Sequence, residues 1–467
     1  MMNMLTFAMD MDSNTPLYQQ LYCFIKSEIQ SGRITYNTKL PSKRQLSSYL
    51  KISQNTIQTA YDQLIEEGYI VPIERRGFFV SKIDNLVQID NQAVYKKIND
   101  NHNGPKVKYD FSYHGVDRET FPFKTWRKLT KDVINEYDQE IVQLGDSQGH
   151  ILLRTSIAEY LHQSRGVNCS ADQIIISSGT EFLFQILFQL FNRDSIYGVE
   201  NPGYEKLNLL FSSNQAKFKP VNIDAEGMMP EEIIKSKADI LCITPAHQFP
   251  SGEIMPIRRR VQLLNWANEA ENRYIIEDDY DSEFKYSGRP IPALQGLDYN
   301  EKVIYMGAFS KSLSPAIRVS YMVLPVHLVK RYRRNLSFII CPVPIIDQKV
   351  LFRFIQEGYF ERHLNKMRNI YKRKREILIR SIKELNCGME VLGADTGLHL
   401  LLRVNNGMTE EELESAALLH GIKVYGVSKY YLDKNYFERL PRILIGFAAM
   451  KESDISKALS LLHEAWS

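Results

Sequence analysis

Residues 307–318, Gly307-Ala308-Phe309-Ser310-Lys311-Ser312-Leu313-Ser314-Pro315-Ala316-Ile317-Arg318, decide how this chain reads. The β-prone run Val303–Met306 brings Lys311 to a strand end among small residues, with Arg318 a short way on and VSYM after it. A lysine so placed is commonly a solvated surface charge. It is also where a Schiff-base lysine must sit, within reach of a cofactor aldehyde and near an arginine that grips phosphate with two hydrogen bonds.

Working outward, Ile174–Ile176, Ile196–Val199, Ile240–Ile243 and Tyr274–Ile276 are further strand-like runs, each followed by a helical or loop segment. Alternation of this kind predicts a mostly parallel α/β sheet with its site at the carboxyl ends of the strands. Tyr274–Ile276 delivers Asp278 and Tyr280 of IIEDDYDSEF to that edge. A carboxylate there can keep a pyridinium nitrogen protonated, and a tyrosine hydroxyl can bond a ring oxygen; acid clusters alone are more often solvated turns. Ser178-Gly179-Thr180 lies between a strand and a helix, where free amides and the helix dipole favour phosphate, although small residues are common at such turns.

The first eighty residues follow a different pattern. Leu17, Leu21, Ile25 and Ile29 recur at helical spacing between Pro16 and Gly32. Ser42 can cap a second helix with Leu46, Tyr49 and Leu50 inward. Ser53 can cap a third with Ile57, Ala60, Tyr61, Leu64 and Ile65 inward. YIVPIERRGFFVSK then reads as a hairpin whose basic tip holds Arg75, Arg76 and Gly77. The third helix leaves Gln54, Asn55, Thr56, Gln58 and Thr59 outside, side chains suited to base edges and phosphates, while Lys43, Arg44, Arg75 and Arg76 supply phosphate charge. A solvated polar face is the bland reading of the helix alone.

The expected organisation is therefore an α+β winged helix-turn-helix over 14–82, a polar linker over 83–108 with a breaker at Gly104-Pro105, and an α/β domain over 109–467. At 467 residues, with 44% apolar and 24% charged residues, the chain can bury substantial cores in more than one unit. No apolar run reaches membrane-spanning length and the N-terminus lacks a basic signal-peptide start, so a cytoplasmic protein without membrane partners is expected. The five cysteines, Cys23, Cys169, Cys242, Cys341 and Cys387, form no CxxC, so neither a metal site nor a disulfide framework is expected. A net charge of +3 argues for no partner by itself. The basic runs Lys330–Arg334 and Lys372–Arg375 read as exposed helix faces.

Residues 38–80 closely resemble the GntR-type winged helix-turn-helix, implying double-stranded operator DNA as partner. Gln54 stands where that family usually has arginine. From about Asp110 onward, SSGT, ENPGY, TPAHQFPSG, EDDYDSEF and GAFSKSLSPAIR resemble, in order and spacing, the fold-type I pyridoxal-phosphate (PLP) aminotransferases. The resemblance implies Lys311 as the Schiff-base lysine, Asp278 at the pyridine nitrogen, Tyr280 at the ring hydroxyl, Arg318 at the phosphate and Tyr204 stacked on the ring. Ser178, Gly179, Thr180, Ser310 and His247 complete the implied cofactor contacts, with Gln248 a second residue able to approach the ring. The fusion of both modules resembles the MocR-type regulators, including their GABA-responsive and vitamin-B6-synthesis members.

Three positions depart from that pattern. Ala308 replaces a hydroxyl residue that commonly helps hold the phosphate. Lys206 and Lys429 stand where GABA-responsive members carry arginines for an effector carboxylate, and lysine keeps the charge but loses the planar fork. Arg442 in RILIGF lies near where many aminotransferases bind a carboxylate, with a structural salt bridge as the competing reading. The expected function is a regulator, a head-to-tail homodimer, that senses PLP or an amine or amino acid through the Schiff base at Lys311 and alters operator binding. A working aminotransferase with an accessory DNA-binding module is the alternative.

Overall fold

The computed structural model describes residues 10, 13, 15–82, 107–136, 139–286, 288, 291–385, 388–432 and 441–467. Most of the expected linker, and Cys387, lie outside the described residues. The chain divides into two compact units, Met1–His102 and Asn103–Ser467.

In the first unit, α1 (Leu17–Gln30), α2 (Lys43–Leu50) and α3 (Gln54–Glu66) precede β1 (Ile70–Ile73) and β2 (Gly77–Val80). Ser42 caps α2 in a capping box with Gln45, and Ser53 caps α3 by accepting from Thr56 N. Leu21, Ile25, Leu46, Ile57, Tyr61, Leu64, Ile70 and Val80 share one core. Each such side chain contributes about 1.5–3 kcal/mol by leaving water. Tyr49, expected inward, is 40% exposed. α2 has only eight residues and ends at Lys51 in the left-handed region, so Leu46 is its one fully buried side chain. In the hairpin β1 and β2 pair antiparallel from Ile70↔Val80 to Ile73↔Gly77. Arg75 (φ 59°) and Gly77 (φ 106°) both turn through positive φ at its tip.

The second unit begins with β3 (Tyr109–Asp110), α4 (Phe123–Asn135), α5 (Ile151–Arg165), β4 (Ile174–Ser177), α6 (Thr180–Leu190), β5 (Ile196–Asn201) and α7 (Glu205–Ser213). It continues through β6 (Lys217–Asp224), β7 (Gly227–Met228), α8 (Pro230–Ser236), β8 (Ile240–Ile243), α9 (Ile257–Asn268), β9 (Tyr274–Asp279), β10 (Val303–Ala308) and α10 (Phe309–Ser312). β11 (Ser320–Val323), α11 (Val326–Asn335), α12 (Ile345–Gln356), α13 (Tyr359–Leu385), β12 (Met389–Leu392) and β13 (His399–Val404) follow. The last elements are α14 (Glu410–Leu419), β14 (Ile422–Lys423), β15 (Tyr425–Gly426), β16 (Arg442–Gly446) and α15 (Glu452–Trp466).

The large sheet has the order β4-β11-β10-β9-β8-β5-β6-β7. β10, β9, β8, β5 and β6 pair in parallel, whereas β11 runs antiparallel to both β10 and β4. A sheet covered on both faces needs apolar residues at every strand position. Thus Ile174 and Ile176 pack into one core while Ile175 joins another, and Ile275 and Ile276 likewise face opposite ways. The C-terminal sheet, β12-β13-β16-β15, is antiparallel and is packed against the long α13 and α15. Lys374, expected on an exposed face, is 2% exposed: its ammonium reaches Asp117 and the Ala448 carbonyl, each within 2.8 Å, which satisfies the charge inside. No helix among the described residues is long and apolar enough to cross a membrane.

Candidate functional site

The carboxyl ends of β4, β5, β8, β9 and β10 open on one edge of the large sheet. Because β11 runs the other way, Arg318, which precedes it, reaches the same edge. A cavity of about 360 Å³ lies there, lined by Gly179, Thr180, Tyr204, Lys206, Asp278, Tyr280, Ser310, Lys311 and Arg318 among others. Ser178 contributes its carbonyl from just outside, accepting from Arg318 Nη2 at 3.0 Å.

The strand pleat selects one acid from three consecutive candidates. Glu277 points away from the cavity and accepts the backbone N–H groups of Leu294 (2.8 Å) and Gln295 (2.9 Å). Asp279 points the same way and is held by Arg165 Nε at 2.7 Å and the Tyr305 hydroxyl at 2.6 Å. Asp278, on the alternate face, enters the cavity with no hydrogen-bond donor among the described residues. Burial, with help from Asp279, Asp281 and Glu181, pushes its carboxyl up to about 7. The held acids also explain why β9 extends to Asp279, beyond the expected apolar run, in register with Met306 and Gly307 of β10.

Lys311 Nζ donates to the Tyr113 carbonyl. Burial and the neighbouring Lys206 bring its ammonium down to about 8 against the opposing pull of Asp281, so a usable share is neutral amine near physiological pH. Tyr204 meets Phe249 edge-to-face at 5.7 Å, which fixes its ring at the cavity wall.

At the end of the cavity beside Arg318, Gly179 takes φ 106° before α6, where any Cβ would fall 2.1 Å from Arg318 Nη2. Its N–H is held by Ser320 Oγ (2.8 Å), which itself donates to Ser177 O. This glycine-only cradle, a helix N-terminus, a guanidinium, a neutralisable lysine and an unpartnered carboxylate fit a phosphorylated pyridine aldehyde.

Four expected contacts differ. His247 does not line the cavity. Its Nδ1 lies 2.9 Å from Asp281 Oδ1 and 2.9 Å from the Tyr280 hydroxyl, so it supports Tyr280 from behind. Gln248 does not approach the ring either, because its amide is spent on Pro202 O, Phe249 O and Ser251 N. Lys429 lies over the Tyr425 and Tyr430 rings at 4.6 and 5.2 Å rather than in the cavity wall. Arg442 opens β16 away from the cavity, its backbone N–H donating to Glu410 Oε1 at 3.0 Å. Lys429 still acts on His114, which burial above all, with the charges of Lys311, Lys206 and Lys429, brings down to about 4.

Sequence reasoning missed Tyr113, Glu181, Glu200, Asp281 and His399, all of which line the cavity. Glu200 and Asp281 lay inside the quoted motifs. Burial raises Glu200 to about 7, with Thr244 Oγ1 donating to it at 2.6 Å. Tyr113 and His399 carried no local signal, since only the tertiary fold brings them to this edge.

In the first unit Gln54, Asn55, Thr59, Arg44, Arg75 and Arg76 are exposed. Thr56 packs back on Ser53 (2.8 Å), Thr59 donates to Asn55 O (3.0 Å), and Gln58 is held between Lys43 and Asp62. Arg76 lies over the Phe79 ring at 5.5 Å, and Gly77 leaves room for Lys39.

Two family profiles match the chain: "Bacterial regulatory proteins, gntR family" over residues 17–80 and "Aminotransferase class I and II" over 113–462. The HTH-type transcriptional regulator YdeL of Bacillus subtilis is 42% identical, covering 97% of each chain. The probable rhizopine catabolism regulatory protein MocR of Rhizobium meliloti is 29% identical over 98% of this chain and 95% of its own. The chain is a MocR-type regulator of the GntR family. The pyridoxine biosynthesis transcriptional regulator PdxR of Corynebacterium glutamicum is 27% identical, covering 99% of each. The multiple substrate aminotransferase of Thermococcus profundus shares the fold of this regulator's second unit, with TM-score 0.67 at 23% identity over 77% of this chain and 91% of that one. The regulator thus combines a GntR-type DNA-binding domain with an aminotransferase-like domain of the PLP-dependent family.

Proposed function

We propose that this regulator holds PLP through Lys311, and that occupancy of the site by PLP, or by an amine or amino acid reacting there, changes operator binding. The carrying observation is the meeting of Lys311, Asp278, Tyr280 and Arg318 in one cavity at the sheet edge. Bound PLP supplies an aldehyde for amines and an electron-withdrawing ring. The chain's own residues bind and orient it. Asp278 balances charge at the pyridine nitrogen, Tyr280 donates to the ring hydroxyl, and Tyr204 covers the ring face. Arg318, Ser310 and Thr180 at the start of α6 take the phosphate, while Gly179, its own N–H held by Ser320, leaves the room for it. Lys206 in the cavity wall, with Lys429 outside it but close enough to act on His114, suits a ligand with a carboxylate or phosphate, though without arginine's two-pronged geometry.

α3 and the basic hairpin tip read operator DNA, and a head-to-tail homodimer presents two such readers to paired half-sites in the cytoplasm. The test is a visible absorbance band on adding PLP, which borohydride bleaches while fixing the cofactor covalently to the protein. It is lost in Lys311→Ala; a variant that kept the reducible linkage would overturn the reading. Sustained turnover of an amino acid with a keto acid would instead support the enzyme.

A further inference from the structure

The phosphate end of the cavity contains a carboxylate. Glu181, in the first turn of α6, places Oε2 3.0 Å from Arg318 Nη2, the same guanidinium nitrogen that donates to Ser178 O. Both side chains are nearly half exposed, and among the described residues the guanidinium's hydrogen bonds go to Glu181 and the Ser178 carbonyl. Glu181 also lines the cavity, and its charge is among those that raise Asp278. Ala308, which also lines the cavity, offers no hydroxyl in compensation. A phosphate dianion arriving at Arg318 meets a guanidinium already neutralised, with a like charge beside it.

We infer that Glu181 competes with the cofactor's phosphate for Arg318 and so sets the affinity of this regulator for PLP low enough that occupancy follows PLP concentration. The inference rests on the reading that PLP sits at Lys311. The energy of pairing phosphate with Arg318 is reduced by the energy of the Glu181–Arg318 pair that the phosphate replaces. That penalty falls only on ligands that carry the phosphate. Pyridoxal, which has the same aldehyde and ring but no phosphate, leaves the pair intact.

The experiment titrates the full-length wild-type protein and Glu181→Gln with PLP and with pyridoxal, following the absorbance of the linkage to obtain Kd. Glutamine keeps the length and hydrogen-bonding capacity of the side chain, and circular dichroism checks that the variant folds. The expected result is PLP bound about tenfold tighter by Glu181→Gln, with pyridoxal unchanged. Unchanged or weaker PLP binding overturns the inference, as does equal tightening for both ligands, which shows an effect that does not act through the phosphate. A parallel Lys311→Ala titration separates the two claims. If that variant keeps the reducible linkage, the cofactor site itself is wrongly placed; if it loses the linkage while Glu181→Gln has no effect, only the role of Glu181 fails.

Discussion

Lys311 Nζ donates to the main-chain carbonyl of Tyr113, and the amine also lies 6.0 Å from the centre of the Tyr113 ring. This contact joins the proposed cofactor lysine to the segment that follows the linker in sequence. The backbone of that segment is paired just upstream, where β3 lies along β14 and Phe111 N–H meets Lys423 O at 3.0 Å. A covalent bond at Nζ removes donor hydrogens and weakens the hold on Tyr113, a local change from which a signal toward the DNA-binding unit can start.

The first prediction concerns pH. With Lys311 near 8, the neutral amine fraction rises steeply below that value and levels off above it. The absorbance of the PLP linkage should therefore grow from about pH 6.5 and plateau near about pH 9, whereas an ordinary lysine would keep gaining beyond about pH 10. Lys206→Ala removes a like charge and should move the midpoint upward. A spectroscopic pH titration of both proteins decides it.

Asp278→Asn should separate binding from stability. The carboxyl is raised from 3.8 to about 7, so the folded state holds its proton more tightly than the unfolded state across that window. The cofactor-free protein is then more stable at low pH, and this advantage is lost as pH rises through about 7. At pH 8 the asparagine variant should gain on the order of 1–2 kcal/mol in denaturant unfolding without cofactor. It should also bind PLP at least about tenfold more weakly, having lost the charge that faces the ring nitrogen.

Operator binding should depend on charge at the reader. Arg44→Ala with Arg76→Ala should weaken binding and make the log–log salt dependence shallower by up to about two. Asn55→Ala should relax base preference with little change in that slope. Fluorescence anisotropy at several salt concentrations measures both, and unchanged binding by the double variant would remove α2 and the hairpin tip from the interface.

Tyr61→Phe tests the frame of the reader. The buried hydroxyl donates to the Pro41 carbonyl at 2.9 Å and ties α3 to the loop before α2. Leaving that carbonyl unpaired should cost about 1–3 kcal/mol in the first unit alone, visible as an earlier unfolding step with the PLP absorbance intact.

Much of this architecture was legible because buried parallel strands announce themselves as apolar runs and the helices of the reader carry Ser caps. Ser42 and Ser53 mark helix starts by a local hydrogen bond, and Ile174–Ile176 is apolar on both faces for a physical reason. Asp278, Tyr280 and Lys311 were singled out because strand ends deliver them to one edge, the roles proposed for them coming from the resemblance to the aminotransferases. What sequence hid was tertiary: the inward turn of Lys374 onto Asp117, the use of His247 behind Tyr280 rather than in the cavity, and the Glu181–Arg318 pair. None of these has a fixed spacing in the chain. Tyr49 failed for a local reason, since a two-turn helix has too narrow a buried face to hide it.

The most direct test of the central claim is titration of the regulator onto its own upstream DNA with and without PLP, alone and with candidate amines or amino acids, for the wild type and Lys311→Ala. The account predicts that PLP or its reaction with an amine shifts the half-saturation point for the wild type and leaves Lys311→Ala where it was. An identical response of both proteins, or none from either, would contradict it.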